Sequence, residues 1–175
     1  MTELADFLAR ADAVLARVEA LLPAPAAPPD WTAAVAFRWV RTARANERGR
    51  LLAVPQPHRI RLADLSGIDE QAQRVEQNTR QFVAGRSANN VLLTGARGTG
   101  KSSLVKAMLD RHADQGLRLI EVDKDDLVDL PEIVDLVAGR PERFIVFCDD
   151  LSFEAGEPGY KALKSVLDGS IAGVP

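Results

Sequence analysis

A single cysteine, Cys148, leaves no partner for a disulfide within the chain and no thiolate cluster for zinc or an iron–sulfur centre, so a reducing, cytoplasmic setting is expected. Histidine is nearly as scarce. His58 and His112 stand far apart with no ligand spacing around them, and neither is expected to hold a metal or act as a catalyst. Long apolar runs are missing too: Glu3, Asp6, Arg10 and Asp12 interrupt the first hydrophobic stretch before it reaches signal-peptide or membrane-spanning length, which predicts a soluble protein without a membrane anchor. Positive charge is in deficit, with a net charge of −3 and a pI near 5.5. That balance argues against coating nucleic acid through bulk charge and leaves only a local basic patch open. Aromatic residues supply just 5% of the chain, but 46% hydrophobic content over 175 residues suffices for one core and hardly for two. One main domain with an appendage is the expected organisation.

The appendage is expected over residues 1–57 as a helical region. Leu4, Leu8, Ala11, Leu15, Val18 and Leu22 recur at alternating spacings of four and three, which predicts a helix with one apolar seam. Three heptads are short for a free-standing coiled coil, so the seam is expected to pack against a second helix of the same chain rather than another subunit. A proline-rich linker over 23–30, with Pro23, Pro25, Pro28 and Pro29, ends the first helix. Asp30 then fits an N-cap for a second helix from Trp31 to about Glu47, with Trp31, Val35, Trp39 and Val40 on its apolar side. Arg38, Arg41, Arg44 and Arg48 follow at helical spacing and suit either a phosphate-contacting stripe or a solvated face; the acidic overall balance favours the face.

A boundary is expected near residue 58, where Pro55 and Pro57 break the pattern before a short extended stretch, His58 to Leu62. Over 58–175 the pattern alternates: a helix from Asp69 to Val83, a strand at Val91 to Thr94, a helix from Lys101 to Ala113, a strand at Leu117 to Val122, a helical stretch from Asp126 to Ala138, and a strand at Arg143 to Cys148. Short apolar strands bounded by polar or glycine segments, each followed by a helix, predict an α/β fold with a parallel sheet layered by helices. Tyr160, Leu163, Val166 and Leu167 suit one more helix, stopped by Gly169.

Gly95-Ala96-Arg97-Gly98-Thr99-Gly100-Lys101-Ser102 satisfies G-x-x-x-x-G-K-[ST] directly after a predicted strand and at the start of a predicted helix. Glycines there let the backbone wrap tightly with its N–H groups turned inward, so that these donors and the positive end of the helix meet phosphate oxygens. Lys101 would neutralise the β- and γ-phosphates, and the Ser102 hydroxyl would join the shell of a Mg²⁺ ion, which keeps most of its waters. Arg143-Phe144-Ile145-Val146-Phe147-Cys148-Asp149-Asp150 is an apolar strand ending in two carboxylates, the Walker B pattern. Asp149 is expected to hold the metal shell, and Asp150 to orient and polarise an attacking water. Asp150 has a shorter arm than the glutamate common at that position, by about one C–C bond. The acidic run Glu121, Asp123, Asp125, Asp126, Asp129, Glu132 and Asp135 lacks the glycine and terminal acid of a calcium loop, and capping of a helix start by Asp125 or Asp126 explains it. Cys148 fits a small apolar side chain in a buried strand.

Gly95 to Ser103, Val122-Asp123-Lys124-Asp125-Asp126-Leu127, Phe147-Cys148-Asp149-Asp150-Leu151-Ser152-Phe153 and Gly159-Tyr160-Lys161-Ala162-Leu163-Lys164 together resemble the bacterial AAA+ ATPases catalogued as domain of unknown function 815, from about residue 60 onward. The glycine-rich loop is generic to many nucleotide-binding proteins; the acidic run and the segment after Asp150 are more particular. The resemblance implies a P-loop NTPase sheet ordered 5-1-4-3-2 and ATP rather than GTP. It also implies adenine packed near Leu65 to Ile68, at Gly67 and Ile68, and assembly into homo-oligomers. In that order the fourth strand lies between those carrying the two motifs. The sequence ends soon after the third, so it is expected to be the first part of a longer protein, with sensor, arginine-finger and lid residues downstream.

ATP hydrolysis that remodels an unidentified macromolecular partner is therefore the expected function, with Mg²⁺ as cofactor and little turnover expected from these residues alone. A non-catalytic ATP-binding module controlling assembly is the alternative. A GTPase is disfavoured because no Asn-Lys-x-Asp or Thr-Lys-x-Asp sequence occurs, and a small-molecule kinase because no arginine-bearing lid is recognisable. Nucleic acid is a minor possible partner.

Overall fold

A computed structural model describes residues 2–21, 29–41, 49–153 and 157–168. The first predicted helix forms as α1 (Thr2–Leu21). Among the described residues, four strands build one mixed sheet: β1 (Ala36–Val40), β2 (Arg50–Ala53), β3 (Leu117–Glu121) and β4 (Arg143–Phe147), in the order β2-β1-β3-β4. The pair β1–β2 is antiparallel, whereas β1–β3 and β3–β4 are parallel. An α/β fold with parallel strands is as expected; the antiparallel edge is not.

Over its described residues, 31–41, the predicted second helix is replaced by that edge. Asp30 does not cap a helix: its Oδ1 accepts the Thr32 N–H at 2.9 Å, the Thr32 hydroxyl at 2.6 Å and the Ala33 N–H at 3.2 Å, which closes a tight turn over Trp31–Ala33. The Thr32 donors hold the Asp30 carboxyl below its usual range. The chain then extends into β1, where Phe37 and Trp39 are buried on one face and Ala36 on the other. Trp31, Val35 and Trp39 have the four-residue spacing of a helix face, yet β-branched and aromatic residues at 35, 37, 39 and 40 also suit a strand, and pairing with β3 settles the choice. Arg38 and Arg41 therefore form no helical stripe. Arg38 pairs with Glu121 at 3.2 Å and Arg41 with Asp129 at 3.2 Å. Arg44, Arg48, Leu22 and Gly169 lie outside the described residues.

Consequently, the sheet runs across the boundary expected at residue 58. Residues 29–53 are not a separate helical region. Phe37 and Trp39 join Ile120, Val122, Leu127 and Ile133 in the main core, and the Trp39 indole donates to Asp129 Oδ2 at 3.0 Å. Gly49 lies against that indole, and a Cβ there would overlap it.

Alternation in β3 sends Ile120 to the face covered by α4 (Leu130–Val137) and sends Leu117 and Leu119 to the face covered by α3 (Lys101–His112). A 3₁₀ turn over Lys124–Asp129 leads into α4 and α5 spans Pro158–Leu167, so the acidic run does begin a helical stretch, but Asp125 and Asp126 lie inside the turn and neither caps it: the N-cap position is Asp123, which makes no side-chain cap hydrogen bond. Burial raises the Asp126 carboxyl there, opposed by Arg41. Outside α3 lies α2 (Asp69–Val83); Leu104, Ala107 and Met108 of α3 pack against Ile68, Ala72 and Val75. His112 closes α3 as a buried helix residue.

The strand expected at Val91 to Thr94 does not form a ladder among the described residues. Leu92 is 75% exposed and Val91 49%. A strand exists only by pairing, and among the described residues β4 pairs on one side, with β3. The segment is instead anchored by an amide clamp, in which Asn78 Nδ2 donates to the Asn89 carbonyl at 2.8 Å and the Asn89 N–H donates to Asn78 Oδ1 at 2.9 Å. No helix among the described residues is long and apolar enough to cross a membrane.

Candidate functional site

The Gly95–Ser102 loop joins the clamped segment to α3, and its shape follows from its glycines. Gly98 and Gly100 adopt φ of 80° and 86°, in the left-handed region that side chains with a Cβ rarely occupy. Gly100 caps α3 from that conformation, and its carbonyl accepts the Leu104 N–H at 2.8 Å, so the helix begins immediately at Lys101. The first N–H groups of α3 have no intrahelical acceptor and carry the positive end of the helix dipole.

Side chains brace the loop from within. Thr99 Oγ1 donates to the Ala96 carbonyl at 2.9 Å. Lys101 Nζ reaches back across the loop and donates to the carbonyls of Gly95 and Ala96, each at 2.9 Å. The ammonium thus lies against the same turn whose glycines shape it.

Across from the loop, the end of β4 delivers Asp149. Its Oδ2 accepts the Ser102 hydroxyl at 2.5 Å, and its Oδ1 accepts the Asp150 N–H at 3.0 Å. Both carboxylate oxygens are therefore fixed, one by α3 and one by the chain's own next residue. Asp150 takes φ 50°, the only non-glycine residue in the left-handed region among those described. This conformation turns the backbone sharply after Asp149, and the Asp150 side chain remains exposed. Ser102 and Asp149, 47 positions apart, are thus brought together. Arg97 stays exposed on the outside of the loop, and Ser103 is half-buried in the first turn of α3.

Ile68 reaches the base of the loop, with its Cδ1 3.9 Å from where a Cβ on Gly100 would stand. Gly67 (φ 73°) makes the turn before it, with open space around its α-carbon. Leu62, Leu65 and Ile68 form the apolar wall of a cavity of about 330 Å³, with Asp69, Glu76 and Arg111 among its polar lining.

Cys148 precedes the two aspartates. Burial, reinforced by the Asp123 and Asp149 carboxylates, pushes its thiol up to about 11, so it remains protonated at neutral pH and fills space in the core face of β4. The Thr99 and Lys101 braces, the Asn78–Asn89 clamp and the left-handed backbone of Asp150 had no readable signal, because each depends on a distance through space. Only the density of glycines hinted at the loop's shape.

Ser102 and Asp149 together present hard oxygen donors at one point beside a helix N-terminus, a donor set that suits a Mg²⁺ ion with water and anionic oxygens completing its shell. A layered α/β domain in which such a loop meets a carboxylate at the carboxyl end of a parallel strand, β4, is the class of protein these features define. Residues 32–175 match the family described as "Protein of unknown function (DUF815)", and the chain belongs to that family. The match begins in the turn before β1, earlier than the residue 60 expected from the motifs, and takes in the whole sheet. No curated protein and no solved structure matches the chain.

Proposed function

We propose that this protein binds Mg-ATP at the Gly95–Ser102 loop as a cytoplasmic P-loop NTPase of the AAA+ type, and that hydrolysis there drives rearrangement of a macromolecular partner. The observation that carries this reading is the Ser102–Asp149 contact at 2.5 Å, which joins the loop's last residue to the first of the two carboxylates after β4. An accidental glycine turn has no reason to meet an acid from a distant strand. Mg²⁺, when bound, supplies charge neutralisation for phosphoryl transfer. Ser102 and Asp149 would hold it.

The chain's own residues do the rest. N–H groups of the loop from Ala96 to Ser102, and Ser103 after it, donate to phosphate oxygens, favoured by the helix dipole. Lys101 exchanges its two carbonyl acceptors for β- and γ-phosphate oxygens, a short movement of a flexible stem. Ile68 and the turn at Gly67 offer an apolar surface beside the loop for adenine. Asp150 orients a water for attack on the γ-phosphate.

Calorimetric titration with ATP tests the binding step. Saturable binding is expected in the parent, with loss on Lys101→Ala and a much reduced magnesium dependence in Ser102→Ala. Equal binding by parent and Lys101→Ala overturns the assignment.

One feature favours a second reading, a non-catalytic module whose ATP occupancy controls assembly. Asp150 has a short side chain on a left-handed backbone whose N–H is committed to Asp149. Phosphate release from Mg-ATP separates the two: Asp150→Asn abolishes it and spares binding in the hydrolase, and leaves an equally low rate in the module.

A further inference from the structure

The apolar seam of α1 is the largest feature that the proposed nucleotide site does not use. Its side chains are 47 to 66% exposed at Leu4, Phe7, Leu8, Val14, Leu15 and Val18. Where the intrachain partner helix was expected from Trp31 onward, the described residues up to Val40 form a turn followed by β1. A stripe of this kind, exposed among the described residues, is a contact surface for something else.

Its border charges identify the occupant. Leu4, Ala11 and Val18 run along the centre of the stripe, with Phe7 and Val14 on one side and Leu8 and Leu15 on the other. At about 100° per residue, Arg10 and Arg17 fall about 100° to 120° to the Phe7 side of that line, and Asp12 falls about 100° to the Leu8 side. The Phe7 side carries Arg10 and Arg17 after Glu3 in the sequence, and the Leu8 side carries Asp12, so the middle of the stripe is flanked by opposite charges. When two copies of this helix face each other in parallel, the Arg10 side of one runs along the Asp12 side of its neighbour, and Arg10 stands about 3 Å in axial height from the neighbour's Asp12. An antiparallel pair sets Arg10 near Arg10 and Asp12 near Asp12, which is repulsive. A small residue at the centre, Ala11, lets the two backbones approach.

We propose that α1 is a parallel self-association element, docking on α1 of a second copy of this chain through the Leu4–Ala11–Val18 line, with Arg10 and Asp12 fixing the orientation. The stripe is three positions wide per heptad, Phe7/Leu8/Ala11 and Val14/Leu15/Val18, which suits both a pair and a closed ring of parallel helices. Nothing in this contact requires nucleotide.

Sedimentation velocity on the whole chain without nucleotide, from about 5 μM to about 500 μM, tests it. Reversible self-association is expected, abolished by Leu8→Glu combined with Leu15→Glu, with the melting transition of the sheet domain unchanged. Arg10→Glu alone should weaken association about two- to fivefold, and Arg10→Glu with Asp12→Arg should restore it. Orientation is read by oxidation in a Cys148→Ala background, where Leu4→Cys is expected to cross-link to itself. A chain that is monomeric throughout overturns the proposal. So does association that survives the double glutamate substitution, which places the contact elsewhere, and so does cross-linking of Leu4→Cys only to Val18→Cys, which makes the pair antiparallel.

Discussion

Individual residues in this protein are held by partners distant in sequence, and their chemistry follows from those partners. Cys148 is the clearest case. In the unfolded chain its thiol ionises near 9.0, whereas in the fold burial and two neighbouring carboxylates push it up to about 11. The folded state therefore holds the proton more tightly. Its contribution to stability is fully present below pH 9 and is lost as pH rises from about 9 to about 11. Iodoacetamide should label Cys148 slowly at pH 8 and accelerate only above about pH 10, while urea-unfolded protein labels readily at pH 9; equal rates in the two states would contradict the burial argument. Gly49 makes a second residue-level statement. Its α-hydrogen faces the Trp39 indole, so Gly49→Ala forces either the ring or the β2 backbone to move. A loss of about 1–3 kcal/mol in urea unfolding is expected, and a change below about 0.3 kcal/mol would mean the two elements are not tightly apposed.

At the scale of elements, β1 shows how pairing overrides local preference. Its residues tolerate either helix or strand, and the alternation of Ala36, Phe37, Arg38 and Trp39 between the two faces becomes decisive only when β3 lies alongside. The Trp39–Asp129 hydrogen bond then ties the buried indole to the start of α4, and Arg41 Nε lies 3.2 Å from the same oxygen, Asp129 Oδ2. Asp129→Ala removes the acceptor of a wholly buried N–H, and an equilibrium destabilisation of about 1–3 kcal/mol is expected. Asp129→Asn keeps an acceptor and should recover a substantial part of it; if the two variants are equally destabilised, the charge pair with Arg41 rather than the indole bond is what matters. The helix α3 illustrates the opposite regime, in which local signals suffice. A left-handed glycine immediately before Lys101 and a 3₁₀ turn after His112 bound it near the predicted limits.

For the molecule as a whole, the sheet crossing residue 58 has a consequence for which pieces can fold. Trp31, Phe37 and Trp39 are at most 6% exposed and supply most of the large aromatic surface of the main core. A chain beginning at residue 58 strips Trp31, Phe37 and Trp39 from the cluster around Ile120 and Val122 and exposes the β3 edge. It should lack a cooperative thermal transition. A chain beginning at residue 29 should melt within about 3 °C of the parent, because none of the described side chains of α1 is a buried large hydrophobic. Cooperative melting of the 58–175 chain would show that the first two strands are an addition to the core rather than part of it.

Several features were legible in the sequence because each depends on a few adjacent residues: the helices α1, α2 and α3, the apolar runs of β3 and β4, and the glycine-rich loop with its lysine and serine. Asp149 was legible as a candidate because it directly follows an apolar strand. Contacts made through space were not: the hydrogen bond of Ser102 to Asp149, the reach of Lys101 back to Gly95 and Ala96, and the left-handed turn at Asp150. Strand identity also belonged to the tertiary structure. Residues 36–40 became a strand by pairing with β3, whereas residues 91–94, with a clearer strand pattern, stayed unpaired among the described residues. A helix closes its hydrogen bonds within itself and is therefore encoded locally, but a strand borrows its partners from elsewhere, so only the assembled fold decides which apolar segments become one.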